Sequence, residues 1–170
     1  MANETPKTAT HADPIGAKSY LQEEGLRQAI ELLFFAYRDF TAKGDAILAK
    51  QNFGRAHHRV IYFVGQYPGM QVNELLDILS ITKQSLARVL RQLVNEGYIK
   101  QQTGKTDRRQ RLLSLTQKGV DLERLLTSEQ RARIGTAYRN AGHNAIKGFK
   151  SVMLGMMEES ARSRFVKRKS

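Results

Sequence analysis

The sequence predicts a mainly α-helical chain, α+β only through one small hairpin, in a winged helix-turn-helix arrangement with helices before and after it. Three observations carry this prediction. Apolar residues recur at helical spacing along most of the chain. Two of the helical segments are short and joined by a very tight turn. Directly after them the period changes from helix to strand, as a wing requires.

Residues 1–20 are polar, hold Pro6 and Pro14, show no periodicity and read as a flexible tail. Leu26, Ala29, Ile30, Leu33, Phe34, Tyr37 and Phe40 then form one apolar helical face, with Lys43-Gly44 as its expected end. A second helix around residues 55–66 carries His57, Val60, Ile61 and Val64 on one side, and Pro68-Gly69 stops it. Val72, Leu75, Leu76 and Leu79 mark a short helix, and Ser80-Ile81 is the tight connection. Thr82 suits the N-cap of the next helix, which buries Leu86, Val89, Leu90 and Leu93 and ends at Gly97, where a left-handed residue is wanted. Residues 98–103 and 110–115 read as strands around the loop 104–109, and Thr116 suits the N-cap of a further helix. That long helix runs from about Gln117 to Arg139 and breaks near 140–142. A last helix sets Ala145, Ile146, Phe149, Val152, Met153 and Met156 on one side.

Charge locates the function. The net charge is +12, yet residues 1–81 carry 8 Lys/Arg against 9 Asp/Glu, whereas residues 82–111 carry 8 against 2. Half of the excess therefore falls on one helix and one hairpin, a footprint suited to a polyanion. Without cysteine there are no disulfides, thiolate metal sites or thiol sensors. The histidines His11, His57, His58 and His143 include no H-x3-H pair, so no metal site and no cofactor are expected. No G-x-S-x-G, H-E-x-x-H or complete P-loop occurs, so no catalytic residues are assigned and an enzyme is not expected. Neither a membrane span nor a secretory signal is read, and a cytoplasmic protein, on the nucleoid when bound to DNA, is expected.

Opposite the buried stripe of helix 82–96 stand Lys83, Gln84, Ser85, Arg88, Arg91 and Gln92. Arginine forks onto guanine N7 and O6, glutamine onto adenine N6 and N7, and serine adapts to either. Only Glu96 interrupts this face, where a helix held by ion pairs would mix signs. The hairpin adds Lys105, Thr106, Arg108, Arg109 and Arg111, which suit the phosphate backbone or a narrow minor groove, with Asp107 pairing a neighbouring arginine to shape the loop. Duplex RNA is disfavoured, because its deep, narrow major groove does not admit such a helix.

The run from Asp107 through Arg108, Arg109, Leu115 and Thr116 to Gly119 resembles the D-R-R wing signature followed by L-T-x-x-G of the MarR family. Leu75-Leu76, Leu79-Ser80-Ile81, Leu93, Glu96-Gly97 and Pro68-Gly69 match its spacing upstream. The resemblance covers residues 25–126 and implies a homodimeric regulator, usually a repressor, on a pseudo-palindromic site. It assigns residues 21–50 and 117–170 to dimerisation and residues 51–116 to DNA. It also implies a pocket for a small aromatic or phenolic effector, with Tyr37, Phe40, Thr41, His58 and Tyr62 as candidate contacts. On periodicity alone, the apolar stripes at 26–40 and 145–156 fit an internal core equally well. The alternative function is a sequence-indifferent architectural protein that coats DNA.

Overall fold

The computed structural model describes residues 19–104 and 110–166. Helix α1 spans Glu23–Ala49 and α2 Arg55–Gln66. The short strand β1 (Met70–Gln71) leads into α3 (Val72–Leu79) and α4 (Lys83–Asn95). Strands β2 (Ile99–Thr103) and β3 (Arg111–Leu115) precede α5 (Gln117–Gly155) and α6 (Glu159–Val166). The winged helix-turn-helix architecture read from the sequence is the one observed. Among the described residues no helix is long and apolar enough to cross a membrane.

The chain divides into two compact units, residues 1–39 and 40–170. In the first, Arg27 pairs with Glu23 at 2.7 Å, and Phe34 meets Phe35 edge-on. Leu26, Ile30, Leu33, Phe34 and Tyr37 are all exposed, Ile30 at 70% and Phe34 at 61%. Within that unit the stripe packs into no core of its own. Phe149, Val152 and Met156 in the second unit are exposed likewise.

The core of the second unit surrounds α2, whose Val60, Ile61 and Val64 are fully buried. Helix α2 packs against α3, α4, α5 and β3, and Leu48, Leu75, Leu86, Leu93, Ile99, Leu113 and Leu126 close the interior. Each such leucine or isoleucine contributes about 1.5–3 kcal/mol relative to exposure. The antiparallel sheet has the order β1-β3-β2, with Met70 opposite Leu113 and Ile99 opposite Leu115.

Two boundaries differ from expectation. Helix α1 continues through Lys43-Gly44 to Ala49. Gly44 is buried against His58 and Leu126, and Ala46, Ile47, Leu48 and Ala49 carry the helix on by burying Leu48. A single glycine lowers helix propensity by only about 1 kcal/mol, and burial overrides it. The sheet also has a third strand, because Pro68-Gly69 delivers Met70-Gln71 alongside β3, with the Gly69 N–H donating to the Leu113 carbonyl at 2.8 Å. The expected break in the C-terminal helix lies at Gly142, whose φ of 78° and ψ of 171° interrupt α5.

Candidate nucleic-acid interface

Helices α3 and α4 are joined through Ser80, left-handed at φ 50° and ψ 47°. Thr82 then opens α4 as its N-cap. Its hydroxyl accepts the Ser85 N–H at 3.2 Å and donates to the Ser85 hydroxyl oxygen at 3.0 Å, which ties the first turn together. No acidic residue stands in that turn, so the partial positive charge of the helix end is uncompensated. At the other end Gly97 takes φ 76°, as the C-terminal turn requires.

Leu86, Val89, Leu90 and Leu93 are buried and set the roll of α4. Lys83, Gln84, Ser85, Arg88 and Arg91 are consequently exposed. Gln84, Arg88 and Arg91 succeed one another along the outward row at spacings of four and three. Asn95, also exposed, extends that row by four and was missed in the sequence because it sits at the helix end. Among the described residues Arg88 and Arg91 make no ion pair, whereas Arg27, Lys43 and Arg55 each have a carboxylate partner. Gln92 does not join this row. It is half-buried, bonded to His57 at 2.9 Å and to Glu96 at 2.9 Å.

The hairpin is held by the β2–β3 register from Ile99–Leu115 to Thr103–Arg111, and the Gly104 N–H donates to the Gln110 carbonyl at 3.1 Å. Arg111 is exposed and donates to the Thr103 hydroxyl at 2.8 Å. Lys105, Thr106, Asp107, Arg108 and Arg109 lie outside the described residues. The wing is anchored at its base by Thr116, whose hydroxyl donates to the Gly97 carbonyl at 2.6 Å and accepts the Gly119 N–H at 3.1 Å. A Cβ on Gly119 would collide with the Tyr98 carbonyl oxygen, which is the physical reason for glycine there.

The candidate effector residues fall in different environments. Thr41 is buried, Phe40 and His58 are half-buried, and Tyr62 and Tyr37 are exposed. Gly44 of α1, one turn beyond Phe40 and Thr41, approaches His58, and Tyr62 lies one turn further along α2, so these four residues share one region. Burial pushes the His58 imidazole below its ordinary value; the nearby Asp45 carboxylate opposes this and the Arg59 guanidinium adds to it. Asp45 pairs with Arg55 at 2.9 Å through one oxygen. Phe53 is buried, stacked on His57 and edge-on to Tyr98.

Residues 51–110 match the model of the MarR family. Over 146 residues, 86% of this chain and 88% of the relative, the sequence is 47% identical to the HTH-type transcriptional regulator PetP of Rhodobacter capsulatus. The chain belongs to the MarR family of transcriptional regulators. MarR-family folds are also found among solved structures similar to it. Streptococcus pneumoniae FabT in complex with DNA aligns with a TM-score of 0.69 at 18% identity, over 85% of this chain and 99% of FabT. NadR in complex with 4-hydroxyphenylacetate aligns with a TM-score of 0.59 at 21% identity, over 91% of this chain and all of NadR.

Proposed function

We propose that this MarR-family regulator is a homodimeric repressor that reads a pseudo-palindromic duplex operator with α4 and is released by a small aromatic ligand. The observation that carries the DNA reading is the outward row of α4, where Gln84, Arg88 and Arg91 stand exposed, without acidic partners, behind a capped and acid-free first turn. Arginine and glutamine in that row suit guanine and adenine edges in a major groove, and Ser85 and Lys83 suit either base or phosphate. Arg111 and the wing residues Lys105, Thr106, Arg108 and Arg109 take the phosphate or minor-groove role, with Asp107 shaping the loop. The FabT complex with DNA supports the assignment at the level of fold.

Dimerisation is supported by the uncovered stripe Leu26–Tyr37 and by Phe149, Val152 and Met156. Exposed apolar stripes of this kind mark interfaces. Residues 21–50 and 117–170 are its elements, and two copies would set their α4 helices about 34 Å apart, one turn of DNA. The NadR complex with 4-hydroxyphenylacetate supports an aromatic effector, for which Phe40, Thr41, His58 and Tyr62 are the proposed contacts. Such a ligand acts by binding better to a dimer whose α4 helices are wrongly spaced.

Titration of the protein against labelled DNA from its own upstream region, with random competitor, tests the reading. Competitor-resistant binding with a protected palindrome is expected, and release by an aromatic acid. Binding erased by competitor would replace the operator reading with a sequence-indifferent coat on DNA.

A further inference from the structure

At the C-terminal end of α4 a chain of polar groups has no freedom in its donors and acceptors. The Glu96 carboxylate only accepts, so the Gln92 amide turns its NH2 towards it, at 2.9 Å. The Gln92 carbonyl oxygen is thereby left for His57, whose Nε2 lies 2.9 Å away and must donate. A neutral imidazole with its proton on Nε2 has a bare Nδ1, and that atom accepts the Gly54 backbone N–H at 3.1 Å. The ring is clamped in this plane by Phe53, stacked on it at 4.7 Å and 9°. Phe53 leans edge-on against Tyr98, whose hydroxyl donates to Gln51 at 2.7 Å. The Lys118 ammonium lies 4.1 Å over the Tyr98 ring and donates to the Glu96 carbonyl at 2.9 Å.

Gln92 neighbours Arg91 and lies one turn from Arg88, so any roll or slide of those arginines moves the Gln92 amide equally. We infer that His57 is a positioning residue for base reading: as the Nε2–H tautomer it fixes Gln92, and with it the roll of α4 in the groove, without touching DNA. This rests on the reading that α4 contacts base edges.

Protonation keeps the Nε2–H donating to Gln92 but gives Nδ1 a hydrogen that faces the Gly54 N–H. The imidazolium thus loses the Gly54 bond and with it the anchoring that holds the ring in place for Gln92. Among the described residues, the charged and titratable groups around the ring include Glu96 beyond Gln92 on α4, Arg55 and His58 on α2 itself, Tyr98 beyond Phe53, and Lys118 across Tyr98 from α5. Discrimination between specific and random DNA therefore falls on acidification.

The experiment measures affinities of the full-length protein for operator and random duplexes of equal length, at one salt concentration, for the wild type, His57→Leu and His57→Gln. Leucine keeps an apolar side chain against Phe53 and loses both hydrogen bonds. Glutamine offers one acceptor and one donor that do not titrate. His57→Leu is expected to lower the operator-to-random ratio roughly five- to tenfold while random-duplex affinity and its salt slope stay unchanged. His57→Gln is expected to keep the ratio and to remove its fall on acidification. A folded His57→Leu protein with the wild-type ratio overturns the inference, as does a His57→Gln protein with the wild-type pH profile. The second comparison decides alone if His57→Leu does not fold. A wild-type ratio near unity removes instead the base-reading premise on which the inference stands.

Discussion

Burial strips water from the imidazolium form of His58, so the folded chain binds that proton less readily than the unfolded chain does. With a folded value below 6.5, the neutral ring's contribution is fully present above pH 6.5. As pH drops below that value the unfolded chain takes the proton first, and stability falls until the folded value is passed. The thermal midpoint is expected to decline on acidification through this window, and His58→Gln to flatten the decline; equal slopes in the two proteins would count against it. On the DNA side, Arg88→Ala is expected to relax preference at one base pair per half-site by roughly 1–3 kcal/mol, read by binding to single-substituted operators. Arg108→Ala is expected to weaken binding to all sequences and reduce the salt slope by about one.

Two glycines in helices carry opposite expectations at the level of elements. In α1, a Cβ on Gly44 would meet His58 Cε1 at 3.5 Å and Leu126 Cδ2 at 3.8 Å, ordinary contact, so Gly44→Ala is expected to stabilise by about 0.5–1 kcal/mol. In α5, Gly119→Ala drives a methyl group into the Tyr98 carbonyl and is expected to cost about 3 kcal/mol, with the wing base displaced. Denaturant unfolding of both variants checks the pair of signs. Legibility in the sequence divides along the same line. Thr82, Gly97 and Thr116 announce their helix ends because caps and left-handed turns demand particular residues, and the outward row of α4 could be read from them. Gly44 points to a helix end that is not there, because a glycine ends a helix only when nothing beyond it is worth burying, and Leu48 is. Strand β1 is two residues long, too short for any period, and owes its existence to β3. His57 and Gln92 were visible as polar residues on apolar helices, but their bond spans 35 positions that only the fold brings together.

Across the whole molecule, the adjacent residues His57 and His58 of α2 meet different elements. His57 holds α4 through Gln92, while His58 lies against Gly44 of α1 and beside Leu126 of α5. Helix α2 thus touches both the proposed DNA-reading element and the elements proposed to dimerise. The exposed stripe of α1 gives a direct test of assembly. Ile30→Glu places a charge in the centre of an apolar face and is expected to raise the dimer dissociation constant about tenfold to a hundredfold, measured by sedimentation, with loss of operator binding in parallel. Retained dimerisation at wild-type strength would assign the stripe elsewhere.

Strand β1 also bears on how the protein behaves when crowded. By covering one side of β3 it leaves β2 as the sheet's long uncovered border, and residues 100–103 there are all exposed and polar, with Lys100 among them. A border of that kind is a poor template for another chain's backbone. The sheet is thereby kept from joining to another copy's sheet, and contacts between copies are left to the helices.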